Sequence, residues 1–222
     1  DECEAYEADV TGDGSINILD ILVMVQIILG DELARTNNVA TSVELIQSGN
    51  QLSYKSDGDG LIGFELTLSH DSDCEFNLNS EAFVADYNTS ENTTKMVIVI
   101  NGGNNLFTST GAFMIVDVLA GTSLSSIDAN ITIVPEEFGL STAYPNPFNP
   151  STSVKLAIPQ DGFVSLQVYN VLGQVVTTLH EGNLTAKTYT FTWNASNVSS
   201  GMYVIKAQTA ENVEIQKIIL MK

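Results

Sequence analysis

Apolar residues follow two different rhythms along this chain. Between Ile18 and Leu29 (ILDILVMVQIIL) ten residues are strongly apolar and only Asp20 and Gln26 are polar. That length suits a helix of about three turns. At 100° per residue no polar stripe survives, and such a helix must be covered on several sides. Gly30 and Asp31 predict its end. Each buried aliphatic side chain contributes roughly 1.5–3 kcal/mol, so baring half of them costs on the order of ten kcal/mol. The cover comes either from the chain's own β-rich part or from a neighbouring copy or separate protein. The pattern leaves both open. Among its residues Ile18, Leu19, Ile21, Leu22, Val25, Ile28 and Leu29 are the expected packing positions.

After a connector at 33–40 (LARTNNVA) the rhythm shortens. Leu61–Ser69, Lys95–Ile100, Gly111–Ala120 and Ile131–Val134 read as strands, separated by the turn-rich pieces SDGDG, YNTSENTT and NGGNN. Asp57–Gly60 reads as a hairpin turn. Residues 41–138 are therefore expected to form an antiparallel β-sandwich. Four of the five prolines fall in 135–152, where YPNPFNPST (144–152) predicts a stiff, extended linker. Strands resume at Ser153–Ile158, Phe163–Tyr169, Gln174–Leu179, Tyr189–Trp193, Met202–Ala207 and Val213–Leu220, with a turn at Leu172–Gln174. That density fits a small immunoglobulin-like sandwich. The fold class is mostly β: two β-sandwich domains, preceded by a loop and one α-helix.

Charge sharpens the division. The net charge of −19 is unevenly spread: residues 1–138 hold 23 acids and 3 bases, residues 139–222 hold 4 acids and 5 bases. The acidic surface excludes nucleic acid, which needs a basic patch. No run of 18 apolar residues predicts a membrane span. The opening residues lack the basic, apolar pattern of a signal peptide, so either the chain is cytosolic or Asp1 follows a processing site. Cys3 and Cys74 either pair or remain two thiols; the sequence does not choose.

Residues 9–20 (DVTGDGSINILD) place oxygen donors at the spacing of a twelve-residue calcium loop. Asp9, Thr11, Asp13, Ser15 (through its carbonyl), Asn17 and Asp20 occupy positions 1, 3, 5, 7, 9 and 12. Gly14 stands at position 6, where the chain turns sharply. With three carboxylates the expected Ca²⁺ affinity is about 0.1–1 mM. The Asp57-Gly58-Asp59-Gly60 frame fails the same test, because its twelfth residue is Leu66.

DVTGDGSINILDILVMVQIIL resembles one repeat of a dockerin. The segment 41–138 resembles, more loosely, a cohesin-like jelly-roll sandwich through LSYKSDGDGLIGFELTL and GAFMIVDVLAG. Residues 139–222 resemble the type A sorting domain of type IX secretion: YPNPFNPST, VSLQVYNVLGQVV, SSGMYVIKAQ and the closing KIILMK. The resemblances divide the chain into 1–32, 41–138 and 139–222. They imply export across an outer membrane to the cell surface or exterior.

No G-x-S-x-G, H-E-x-x-H or phosphate-cradling glycine loop occurs, and His70 and His180 stand apart, so a non-enzyme is expected. The expected role is a secreted calcium-binding structural subunit, associating head-to-tail with other copies of itself, with a filament as the product when such a contact does not close. The alternative is a cell-surface scaffold or adhesion module for a different protein or a polysaccharide. Tyr54, Phe64, Tyr87 and Phe107 are the candidate sugar-stacking aromatics. Trp193 is expected in a core. Asn88, Asn92 and Asn194 head Asn-x-Ser/Thr triplets read as polar loops.

Overall fold

In a computed structural model, residues 8–30 and 39–222 are described. Cys3 and most of the 33–40 connector lie outside them. The chain divides into two compact units, residues 1–132 and 133–222.

Among its described residues unit 1 holds the helix α1 (Ile18–Leu29) and the strands β1 (Ser42–Ser48), β2 (Gln51–Ser56), β3 (Leu61–His70), β4 (Phe76–Leu78), β5 (Val84–Ser90), β6 (Thr93–Asn101), β7 (Asn105–Ser109), β8 (Phe113–Gly121) and β9 (Ser126–Val134). Their order is β4-β7-β2-β1-β9-β8-β3-β6-β5. β9 joins the two halves of the sandwich. Its first residues pair with β8 (Ala120 with Ile127, Gly121 with Ser126), and its other neighbour is β1. Between the halves lies a core that includes Leu45, Leu52, Phe64, Leu66, Ile98 and Phe107.

β3 explains the architecture. Ile62, Phe64, Leu66 and Leu68 alternate into the inner core. Leu61 and Gly63 face the other way, where α1 covers the sheet together with Val99 of β6. Only the start of the strand is buried on both sides; further along, Glu65, Thr67 and Ser69 are half-buried on the outer face.

Two expectations need correction here. Asp57–Gly60 is not a hairpin turn. β2 pairs with β1 and β7, whereas β3 pairs with β6 and β8, so the segment crosses from one half of the sandwich to the other. Asp57 fixes that crossing, accepting from Thr41 N (2.8 Å), Thr41 Oγ1 (2.6 Å), Ser42 N (3.0 Å) and Ser42 Oγ (3.0 Å). The polar run 87–94 also contains strand. Tyr87 pairs with Met96 and Asn88 with Lys95, and β5 tolerates polar residues because it is a sheet edge exposed along most of its length.

Unit 2 contains β10 (Gly139–Leu140), β11 (Ser151–Ile158), β12 (Gly162–Asn170), β13 (Val175–Leu184), β14 (Lys187–Asn194), β15 (Gly201–Gln208) and β16 (Val213–Leu220). They form sheets β10-β11-β14 and β13-β12-β15-β16. The two inner faces meet in a core around Leu156, Leu166, Val168, Trp193, Ile205 and Ile218. The turn before β13 is held by Asn170, whose Oδ1 accepts from Leu172 N and Gln174 N at 3.0 Å, while Gly173 takes φ 76°.

The proline-rich piece is not a free linker; it is a strap on this sandwich. Asn146 donates to Lys217 O (3.0 Å) and accepts from Ile219 N (2.9 Å). Phe148 N donates to Ile219 O (2.9 Å), and Met221 N donates to Phe148 O (3.0 Å). The Phe148 ring enters the core against Trp193, centroids 5.4 Å apart. Prolines suit this role because the strap needs few backbone N–H groups: Phe148 N donates to β16 and Tyr144 N to Ser153 O of β11.

Candidate functional site

The loop at 9–20 is built by two carboxylates acting on backbone donors. Asp9 Oδ1 accepts from Gly12 N (2.8 Å), Asp13 N (3.2 Å) and Thr11 Oγ1 (3.3 Å), and its Oδ2 accepts from Gly14 N (2.9 Å). The chain can fold back so tightly because Gly12 and Gly14 take φ 70° and 85°, where a side chain is strained. Asp13 Oδ1 in turn accepts from Ser15 N at 2.8 Å.

Asp20 closes the far end. Its Oδ1 accepts from Thr11 N and Thr11 Oγ1, both at 3.0 Å, and its Oδ2 accepts from Asn17 N at 2.9 Å. Asn17 Oδ1 accepts from Leu19 N at 2.8 Å. Asn17 and Asp20 thus form a reciprocal capping box that starts α1. Burial pushes the Asp20 carboxyl up, but the hydrogen bonds from Thr11 and Asn17 outweigh it and hold the group below its usual range. The residue is fully buried.

All six expected ligand residues therefore lie on one loop, and Asp9 and Asp20 organise it from opposite ends. Among the described residues no three carboxylate, imidazole or thiol groups gather closely enough to hold a metal by themselves. Any cation here draws on neutral oxygens as well as carboxylates. Ala8, the first described residue, is helical.

From Asp20 the site runs directly into the sheet. Ile18, Leu22 and Val25 are buried against Leu61 and Val99, with Leu19, Ile21, Val84, Val97 and Leu119 partly buried around them. Two glycines make the approach close. A Cβ on Gly63 would lie 2.6 Å from Ile18 Cγ1 and 2.8 Å from Leu22 Cδ1, and one on Gly121 would overlap Leu19 Cδ2. Neither glycine stands out as a site in the sequence. The available signal was a glycine inside a strand, which often marks close backbone approach. Of the expected packing residues, Ile28 and Leu29 do not pack: Ile28 is 79% exposed and Leu29 40%, and Met24 and Ile27 also face outward.

The remaining candidates divide plainly. Tyr54, Phe64 and Phe107 are buried, and only Tyr87 is exposed, so they make no flat aromatic platform. Trp193 is in the core of unit 2. His70 places Nδ1 2.8 Å from Asp71 O and Nε2 2.8 Å from the buried Thr94 hydroxyl. Among the described residues Cys74 has no disulfide partner, and its Sγ lies beside Gly111 O. No described helix is long and apolar enough to cross a membrane.

Residues 142–221 match the family described as the secretion system C-terminal sorting domain, over somewhat more than a third of the chain. Such a type IX sorting domain indicates export to the cell surface or the exterior. Curated proteins gave no match to the sequence. Among solved structures, dimeric latent PorU from Porphyromonas gingivalis is similar at 12% identity and a TM-score of 0.32, over 83% of this chain and 19% of that one. An I-band fragment of titin is similar at 13% identity and 0.24, over 83% and 64%. Domains 3 and 4 of rat CD4 are similar at 12% identity and 0.25, over 81% and 99%.

Proposed function

We propose that this exported protein is a calcium-binding structural subunit, with the loop and sandwich of unit 1 as its working part and unit 2 as its sorting part. The observation that carries the reading is the loop itself. Asp9 and Asp20 already wind its backbone around a set of oxygen donors in the order a calcium loop requires. A carboxylate has about four acceptor sites. The hydrogen bond from Gly14 N leaves one lone pair on Asp9 Oδ2. The all-oxygen, partly anionic donor set of Asp9, Thr11, Asp13, Ser15, Asn17 and Asp20 suits a hard dication. When bound, Ca²⁺ would offset the charge of the loop's carboxylates and cross-link its two ends. Thr11 and Asn17 position Asp20, and Asp20 starts the helix.

Association with further copies rests on the outward side of α1. The chain's own sheet covers one side of the helix, and Met24, Ile27, Ile28 and Leu29 present an uncharged apolar strip on the other. The β-sandwich of a second copy covers that strip head-to-tail, and such contacts, where the rotation does not close a ring, extend into a filament. The reading is non-catalytic, since His70 and His180 both spend ring nitrogens on structural contacts.

Calorimetric titration of the full chain with Ca²⁺ tests the metal. One site near ~0.1–1 mM is expected, weakened at least tenfold by Asp9→Ala. Absence of heat in the wild type rejects it. Negative-stain imaging with calcium and with chelator tests the assembly, and monomers under both conditions reject that part.

A further inference from the structure

We infer that the 9–20 loop and the outer face of the β8-β3-β6 sheet form one latch: loop order seats α1 on the sheet, and loss of loop order bares the apolar face beneath. This rests on the calcium reading above and goes beyond it, because the residues that respond are not ligands.

The coupling is visible in which residues share one helical turn. Asp20 ties Thr11 and Asn17 to the first turn of α1. The residues around it, Ile18, Leu19 and Leu22, are the three that meet Gly63 and Gly121. No spacer separates the loop from the contact. A first turn that unwinds when Asp20 loses its partners withdraws the side chains that fill the glycine notches.

The face they cover is unsuited to water. Leu61 and Val99 are buried in one cluster with Ile18, Leu22 and Val25 of α1, and Val97 and Leu119 pack against the same cluster. The helix cannot hold itself together when undocked. Twelve residues are too few for a stable isolated helix in water. Undocking and unwinding are therefore one event, and loop, helix and sheet face have two joint states instead of independent ones.

Linkage then requires reciprocity: whatever favours docking must favour the loop's ion by the same factor. Gly63 lies on the sheet and is itself no proposed ligand. Filling its notch must still weaken calcium binding.

Two measurements on the full chain test this. Hydrogen exchange of peptides covering 18–29, together with binding of an apolar fluorescent dye, is followed in calcium and in chelator. Faster exchange and more dye in chelator are expected. The calcium affinity of Gly63→Leu is then compared with wild type, and a weakening within the 5- to 150-fold range of ordinary coupling is expected. Leu22→Ala, which shrinks the docking side chain without crowding the sheet, shifts affinity in the same direction and guards against a folding failure of the first variant. Calcium binding with unchanged exchange, unchanged dye and unchanged affinity in both variants overturns the latch and leaves the metal reading intact. No calcium binding by the wild type overturns both.

Discussion

Gly63→Ala isolates the helix–sheet contact with a single methyl group. The new Cβ would lie 2.6 Å from Ile18 Cγ1 and 2.8 Å from Leu22 Cδ1, whereas carbon atoms pack best at roughly 3.5–4.0 Å. Two effects oppose each other. Replacing a mid-strand glycine relieves about 0.5–1 kcal/mol of backbone entropy. Forcing a methyl into a filled notch costs about 1–3 kcal/mol. The clash should win, leaving unit 1 roughly 1–2 kcal/mol less stable and lowering its calorimetric midpoint by several degrees. Gly162→Ala is the internal control. No atom lies within 4 Å of that position, so unit 2 should melt unchanged or slightly higher. Combining Gly63→Ala with Leu22→Ala completes a double-mutant cycle. Leu22→Ala alone costs about 2–5 kcal/mol, but it removes Leu22 Cδ1 and Cγ, two of the three atoms the new methyl crowds, leaving Ile18 Cγ1. The double variant should therefore cost less than the two separate losses together, by about 0.5–3 kcal/mol. A neutral or stabilising Gly63→Ala, or strict additivity in the cycle, refutes the close docking of α1.

Three further outcomes follow from particular contacts. The hydrogen bonds from the Thr41 hydroxyl and from the Ser42 and Thr41 N–H groups hold the Asp57 carboxyl far below its usual range. Its contribution is present above the ordinary carboxylate value and lost as pH falls through the folded one. The melting gap between wild type and Asp57→Asn should accordingly be wider at about pH 6 than at about pH 2; a gap that grows on acidification contradicts this. Asn146→Ala strips two hydrogen bonds from β16 and should destabilise unit 2 by about 1–3 kcal/mol, seen as a lower midpoint for that unit alone. Phe148→Ala empties the core beside Trp193 and should cost about 3–5 kcal/mol, read by denaturant unfolding followed through Trp193 fluorescence.

Helix α1 was legible because twelve residues with two polar positions have only one regular solution, and Gly30 marks its end. The strands of unit 2 were legible to within a few residues because β-branched alternation and the Leu172–Gln174 turn repeat at short intervals. The loop's oxygen spacing was equally plain. What failed to show were relations between distant segments. Asp57–Gly60 has the composition of a hairpin turn, and only the pairing of β2 and β3 with different partners reveals a crossover. Prolines at 145, 147 and 150 state that the chain is stiff, yet not that it lies along β16. The seats at Gly63 and Gly121 were hidden for the same reason: a missing side chain leaves no mark in an apolar pattern. Nor does hydrophobicity tell which side of α1 its own sheet will take.

The strap on β16 has a kinetic corollary. Asn146 and Phe148 meet residues about seventy positions further along, so almost the whole of unit 2 must be threaded into place before those bonds can form. Loop closure of that length is entropically slow to reward, and non-local topologies fold more slowly than local ones of equal size. Unit 2 should therefore mature late and cooperatively, its last strand and its proline segment being captured together or not at all.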